Sequence, residues 1–135
     1  MDTPRTRYAL SRTVSLSYEE AEKRIREELE KEGFGILTEI DVKATLKKKL
    51  DVDFPPYIIL GACNPPLAHQ ALTAEPDIGL LLPCNVVVRR SEAGETIVEA
   101  MDPNPVLGIA DNDELRPLGE DVRGRLERAL DRLED

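Results

Sequence analysis

The chain has 135 residues, of which 41% are apolar and 33% charged, a length that fits one domain. Its 18 Lys and Arg against 27 Asp and Glu leave a formal charge of −9, which argues against nucleic acid and anionic membrane as partners, because phosphate contacts need clustered positive charge. No apolar run approaches the ~18 residues of a membrane span and no signal-peptide pattern opens the chain, so the expectation is a cytoplasmic protein.

Taken in chain order, Tyr8 to Leu16 alternates, with Tyr8, Leu10, Val14 and Leu16 on one face and Arg12 as the misfit, which predicts a half-buried strand. Ser17 and Glu20 form a capping box, with Leu16 placed to pack on Ala21. Tyr18, Ala21, Ile25 and Leu29 then recur at helical spacing, and Gly33 supplies a left-handed stop. Phe34 to Val42 alternates again, with Phe34, Ile36 and Ile40 expected inward. A short basic helix from about Val42 to Leu50 follows, with Leu46 and Leu50 inward and Lys43, Lys47, Lys48 and Lys49 outward. Pro55-Pro56 ends that segment in a loop.

Tyr57 to Ala62 is nearly all apolar and reads as a buried strand. Asn64-Pro65 starts a helix: the amide caps, and proline at the first helical position gives up no hydrogen bond. That helix ends before Pro76. Leu80 to Arg90 reads as a long strand with Pro83 inside it, so a bulge or an edge is expected there. Gly94 turns the chain into a hairpin partner, Thr96 to Met101. Asp102-Pro103-Asn104-Pro105 opens an irregular stretch, and from about Pro117 the stripe Leu118, Val122, Leu126, Leu130 and Leu133 marks a last helix. The order β-α-β-α-β-α-β-β-α predicts an α+β fold with a mainly antiparallel sheet, and no linker or repeat divides it.

The blocks from Gly33 to Val42, Leu60 to Pro65, Gly79 to Val88 and Met101 to Pro103 resemble the DUF302 domain, and the amphipathic C-terminal helix fits the same layout. The resemblance implies helices packed on a curved sheet. It implies almost nothing about activity, since the family is named for having no assigned function, and it carries no catalytic residue onto this chain.

Cys63, Asn64, His69, Cys84 and Asn85 are the most informative set. Cys63 stands just before a helix N-terminus, where unpaired amides favour a thiolate. His69 lies about 8 Å further along that helix at ~1.5 Å per residue. If the strands through Cys63 and Cys84 run side by side and parallel, the two thiols align for a disulfide or a shared metal; an antiparallel or non-adjacent placement ruins this geometry. Core packing is the stronger reading of two cysteines set among Leu, Ala and Val. The spacing matches no zinc pattern, having no Cys-x-x-Cys and no second histidine.

Glu39 and Asp41, two apart on a strand, share one face. They suit a hard cation or acid–base pair, or simply a solvated face with Asp41 capping the next helix. Glycine-rich phosphate loops and seryl-hydrolase elbows are absent from the sequence. Four Asn and one Gln beside twelve Arg and ten Pro lean toward a thermophilic source.

The expectation is therefore a non-enzymatic module that binds a small molecule, needs no cofactor and forms a homodimer. Its pocket is expected near the Cys63–His69 segment and the Pro83–Asn85 interruption. The alternatives are a thiol redox or metal module using Cys63, His69 and Cys84, and a structural subunit of a larger assembly.

Overall fold

The computed structural model describes residues 6–134. Its elements are β1 (Ala9–Val14), α1 (Tyr18–Lys31), β2 (Gly35–Asp41), α2 (Val42–Leu50), β3 (Tyr57–Cys63), α3 (Pro65–Ala74), β4 (Cys84–Arg90), β5 (Thr96–Met101), α4 (Pro103–Leu107) and α5 (Arg116–Asp131), with a 3₁₀ turn over Pro76–Leu81. The five strands form one sheet in the order β1-β5-β4-β3-β2, and every neighbouring pair is antiparallel. The α+β class and the element order expected from the sequence are both observed. No helix among the described residues is long and apolar enough to cross a membrane.

Side chains alternate across the sheet, so each strand offers one row to the helices. Leu10, Ile58, Leu60, Ala62, Cys84, Val86, Val88, Val98 and Ala100 form a continuous core with Ala21, Ile25 and Leu29 of α1 and Val122, Leu126, Ala129 and Leu130 of α5. Burying each large aliphatic side chain contributes ~1.5–3 kcal/mol, which makes these two helices the principal cover of that face. The other row, including Tyr57, Asn85, Val87, Arg89 and Glu99, faces away from them.

Local signals set the helix ends. The Ser17 hydroxyl accepts from the Glu20 amide while the Glu20 carboxylate accepts from the Ser17 amide, as the capping box predicts. Gly33 stops α1 at φ +87°. Arg12, the polar misfit of β1, bonds Asp131 on α5 at 2.8 Å, so it ties the sheet edge to the last helix. Between α1 and α5 the buried Glu28 receives Lys31 at 2.8 Å and Arg132 at 2.7 Å, while Glu32 receives Arg128 and Arg132 at 3.0 and 2.7 Å.

Several expectations are corrected. The fourth strand begins at Cys84, not Leu80, because Pro76–Leu81 coils into a 3₁₀ turn and Pro83 follows a cis peptide bond outside the ladder. Proline's missing amide thus falls where no ladder bond is needed. Ile40 is 49% exposed and Leu50 66% exposed, since a register shift between Ile36 and Thr38 re-aims the edge strand β2 and α2 buries none of its residues. Tyr8 lies just before β1 and is exposed. The stretch after Asp102, expected to be irregular, forms α4 and two 3₁₀ turns.

Candidate functional site

Strands β3 and β4 are neighbours but antiparallel, with Ala62 opposite Cys84 and Gly61 opposite Asn85. The parallel alignment that would have matched the two thiols for a disulfide or a shared metal is therefore not the one observed. The crossover through α3 returns the chain to the very end of β3 that it left, so Cys63 lies one residue beyond the partner of Cys84. Both cysteines are free; Cys63 is half-buried and Cys84 buried.

Above this end of the sheet, α3, the 3₁₀ turn and α5 border a cleft of ≈ 300 Å³. Its floor is Ala62, Cys63, Pro83 and Cys84, and its walls come from α3 (Leu67, Ala68, Ala71, Leu72), from Phe34 and Leu37, and from Leu107, Leu118 and Val122. A second apolar cluster, Ala71, Ile78, Leu107 and Leu115, braces the outer wall. The sequence explains the shape. Leu67, Ala68, Ala71 and Leu72 form an apolar stripe at helical spacing, and the two alanines leave room where larger residues would close the gap.

Asn64 lines the cleft, but its polar atoms are spent on structure: Oδ1 accepts from the Leu67 amide at 3.3 Å and Nδ2 donates to the Glu32 carbonyl at 3.4 Å. It therefore caps α3 and ties it to the end of α1. Burial, reinforced by the neighbouring Cys63, pushes the Cys84 thiol up to about 11. At neutral pH Cys84 is a protonated, weakly polar wall rather than a thiolate.

The remaining candidates lie elsewhere. His69 is exposed on α3 and does not line the cleft. Asn85 follows Cys84 by one residue, so the strand's alternation sends it to the other face of the sheet. Glu39 pairs with Arg26 of α1, and the Asp41 carboxylate accepts from the Ala44 amide at 2.9 Å as the cap of α2. Both acids thus stand at the margin of the helix-bearing face and are engaged in holding it. Among the described residues no group of three or more His, Cys, Asp or Glu side chains is arranged to hold a metal ion.

The sequence reading located the cysteines and Asn64 at the cleft but missed most of its walls. Phe34, Leu107, Leu118 and Val122 come from segments far apart in the chain and bear no local mark of a site.

The blocks that suggested a family are the same ones that build this cleft: Gly33–Val42 supplies Phe34 and Leu37, Leu60–Pro65 and Gly79–Val88 supply the floor, and Met101–Pro103 leads into Leu107. A family model described as a domain of unknown function, DUF302, matches residues 10–133. No curated protein matches the chain. A crystal structure of an uncharacterised conserved DUF302 protein from Bacillus stearothermophilus superposes with a TM-score of 0.88 at 32% identity, covering 96% of this chain and 100% of that one. With the match spanning the whole sheet and the helices that close the cleft, the chain belongs to the DUF302 family.

Proposed function

We propose that this protein is a non-enzymatic binding module whose ligand is a small, uncharged, largely apolar molecule held in the cleft under α3. The observation that carries this reading is the lining itself. It encloses ≈ 300 Å³, at the lower end of known ligand pockets, with aliphatic side chains, one phenyl ring and two thiols. The polar group best placed to orient a ligand, Asn64, is already bonded on both sides. A charged ligand would lose its hydration there with little return.

The test is a homologous series of 1-alkanols titrated into the full chain and followed by amide chemical shifts. Each buried methylene contributes ~0.8 kcal/mol, so hexanol should bind roughly 15-fold more tightly than butanol, with the gain ending once the cleft is filled. Ala68→Phe, which places a ring in the cavity from the α3 wall, should abolish binding while the protein stays folded. Affinity independent of chain length, or unchanged in Ala68→Phe, would refute the reading.

A thiol-centred reading is favoured by one observation, that both free cysteines line the same cleft. It requires Cys63 to react as an activated thiolate. Alkylation of Cys63 by iodoacetamide well below pH 8 would support it, and an ordinary thiol titration would remove it. Replacing both cysteines by Ala separates the two readings, because the binding module keeps its alkanol affinity within about tenfold.

A further inference from the structure

The face of the sheet turned away from α1 and α5 carries a second, larger concavity of ≈ 710 Å³ around Tyr57, Val87, Arg89 and Glu99. Three of the chain's five aromatic residues meet there, Tyr8, Phe54 and Tyr57. The Phe54 and Tyr57 rings stand 6.1 Å apart with planes inclined by 59°, so they form a corner rather than a stack. Phe54 belongs to the loop between α2 and β3 and is 38% exposed, while Tyr8 is 62% exposed. Neither contributes to the core, so their gathering on this face is unexplained by folding.

Arg89 stands on the same face. Its Nε donates to Glu99 Oε1 at 2.9 Å, and the other oxygen of Glu99 accepts from the Ser11 hydroxyl at 2.9 Å. The arginine side chain is only 24% exposed, so this network fixes the guanidinium in one orientation. What it leaves over is the Nη edge, whose four N–H groups meet no protein acceptor among the described residues. A guanidinium held through Nε with its Nη groups free is prearranged to accept a carboxylate. Arg90 also lines the groove and has no carboxylate partner among the described residues.

We propose that this groove binds a planar aromatic carboxylate, its ring packed among Tyr8, Phe54 and Tyr57 and its carboxylate accepting from the Nη groups of Arg89. The charges lining the groove balance, Arg89 and Arg90 against Glu92 and Glu99, so the site suits a monoanion better than a phosphate dianion. Glu99 acts as a positioning residue, since its charge is engaged by Arg89 and Ser11. This site is independent of the cleft under α3, which lies on the opposite side of the sheet.

The probe is 2-naphthoate, titrated into the full chain and read by amide chemical shifts. Shifts should concentrate at Tyr8, Tyr57 and Arg89. The uncharged 2-naphthamide should bind at least tenfold more weakly to the unaltered protein, a comparison that needs no variant. Arg89→Lys should weaken 2-naphthoate at least fivefold, whereas Ala68→Phe should leave it unchanged. Equal affinity for the acid and the amide would overturn the proposal, as would shifts confined to Leu67, Ala71 and Leu72. Tighter binding of 2-naphthyl phosphate than of 2-naphthoate would overturn the assignment of a carboxylate.

Discussion

Two glycines on paired strands make a controlled test of how tightly the floor beneath the cleft is built. A Cβ added at Gly61 would stand 2.1 Å from Thr38 Oγ1 and 2.8 Å from Pro83 Cγ, whereas one added at Gly35 would meet nothing within 4 Å. Neither residue has a positive φ, so alanine is strained by neighbours at Gly61 and by nothing at Gly35. Thr38 can turn its hydroxyl aside only into another rotamer of a β-branched side chain, and the Pro83 ring cannot turn at all.

Overpacking of this kind costs ~1–3 kcal/mol, and losing a glycine from the unfolded chain returns ~0.5–1 kcal/mol. Gly61→Ala should therefore be about 1–2 kcal/mol less stable than the parent, and Gly35→Ala about 0.5–1 kcal/mol more stable. Urea denaturation with a shared slope reads the difference directly, and a thermal scan should separate the two variants by roughly 6–10 °C. In a cycle with Thr38→Ala, the double variant should recover part of the Gly61→Ala loss but not all of it, because the contact with Pro83 persists. A Gly61→Ala protein as stable as the parent would show that β2, β3 and Pro83 are not packed as described.

Acid should weaken the clasp between α1 and α5. Hydrogen bonds from Lys31 and Arg132 hold the Glu28 carboxyl below its ordinary value; burial works against the same shift at Glu32, where hydrogen bonds from Arg128 and Arg132 outweigh it. Folded values lower than the unfolded ~4.3 contribute stability that is present above that pH and lost as pH falls through the folded values. Urea midpoints measured from pH 6 to pH 3 should fall more steeply for the parent than for a Glu28→Gln, Glu32→Gln variant, and parallel curves would count against the linkage. Asn64→Ala removes the α3 cap and the tie to Glu32, and should cost ~1–2 kcal/mol in the same assay. In native protein at pH 8, iodoacetamide should modify the half-buried Cys63 first; Cys84, buried and with its thiol raised to about 11, should react only after denaturation, as peptide mapping would show.

What could be read from the sequence was local. Ser17, Asn64 and Gly33 announce their caps because capping is decided within three or four residues, and the stripes of α1 and α5 follow from period alone. Strand order is not local: nothing in Cys63 or Cys84 says which neighbour their strands take or in which direction, and the conditional parallel pairing of the two is not the one observed. His69 was grouped with Cys63 by distance along the helix axis, although its angular position sets it away from the stripe of Leu67, Ala68, Ala71 and Leu72. Asn85 was grouped with Cys84 by adjacency, yet adjacency in a strand means opposite faces. The segment after Asp102 was obscured by its prolines, which here begin a short helix rather than prevent one. The aromatic groove left a faint trace, three of five rings in flanking segments, that becomes visible only once β1 is known to border β5.

That border has a consequence for biosynthesis. Strands β2 to β5 lie in the sheet as a sequential series, each beside the one before it, while β1 joins at the far edge, with Ala9 against Met101 and Val14 against Thr96. A chain made from its N-terminus therefore produces β1 first and its partner only after three further strands have appeared, and α5, which holds β1 through Arg12 and Asp131, later still. The earliest strand is the last to be placed. A nascent chain halted before Thr96 would hold β2, β3 and β4 beside an unpaired β1, with the apolar side of α1 still awaiting its cover from α5.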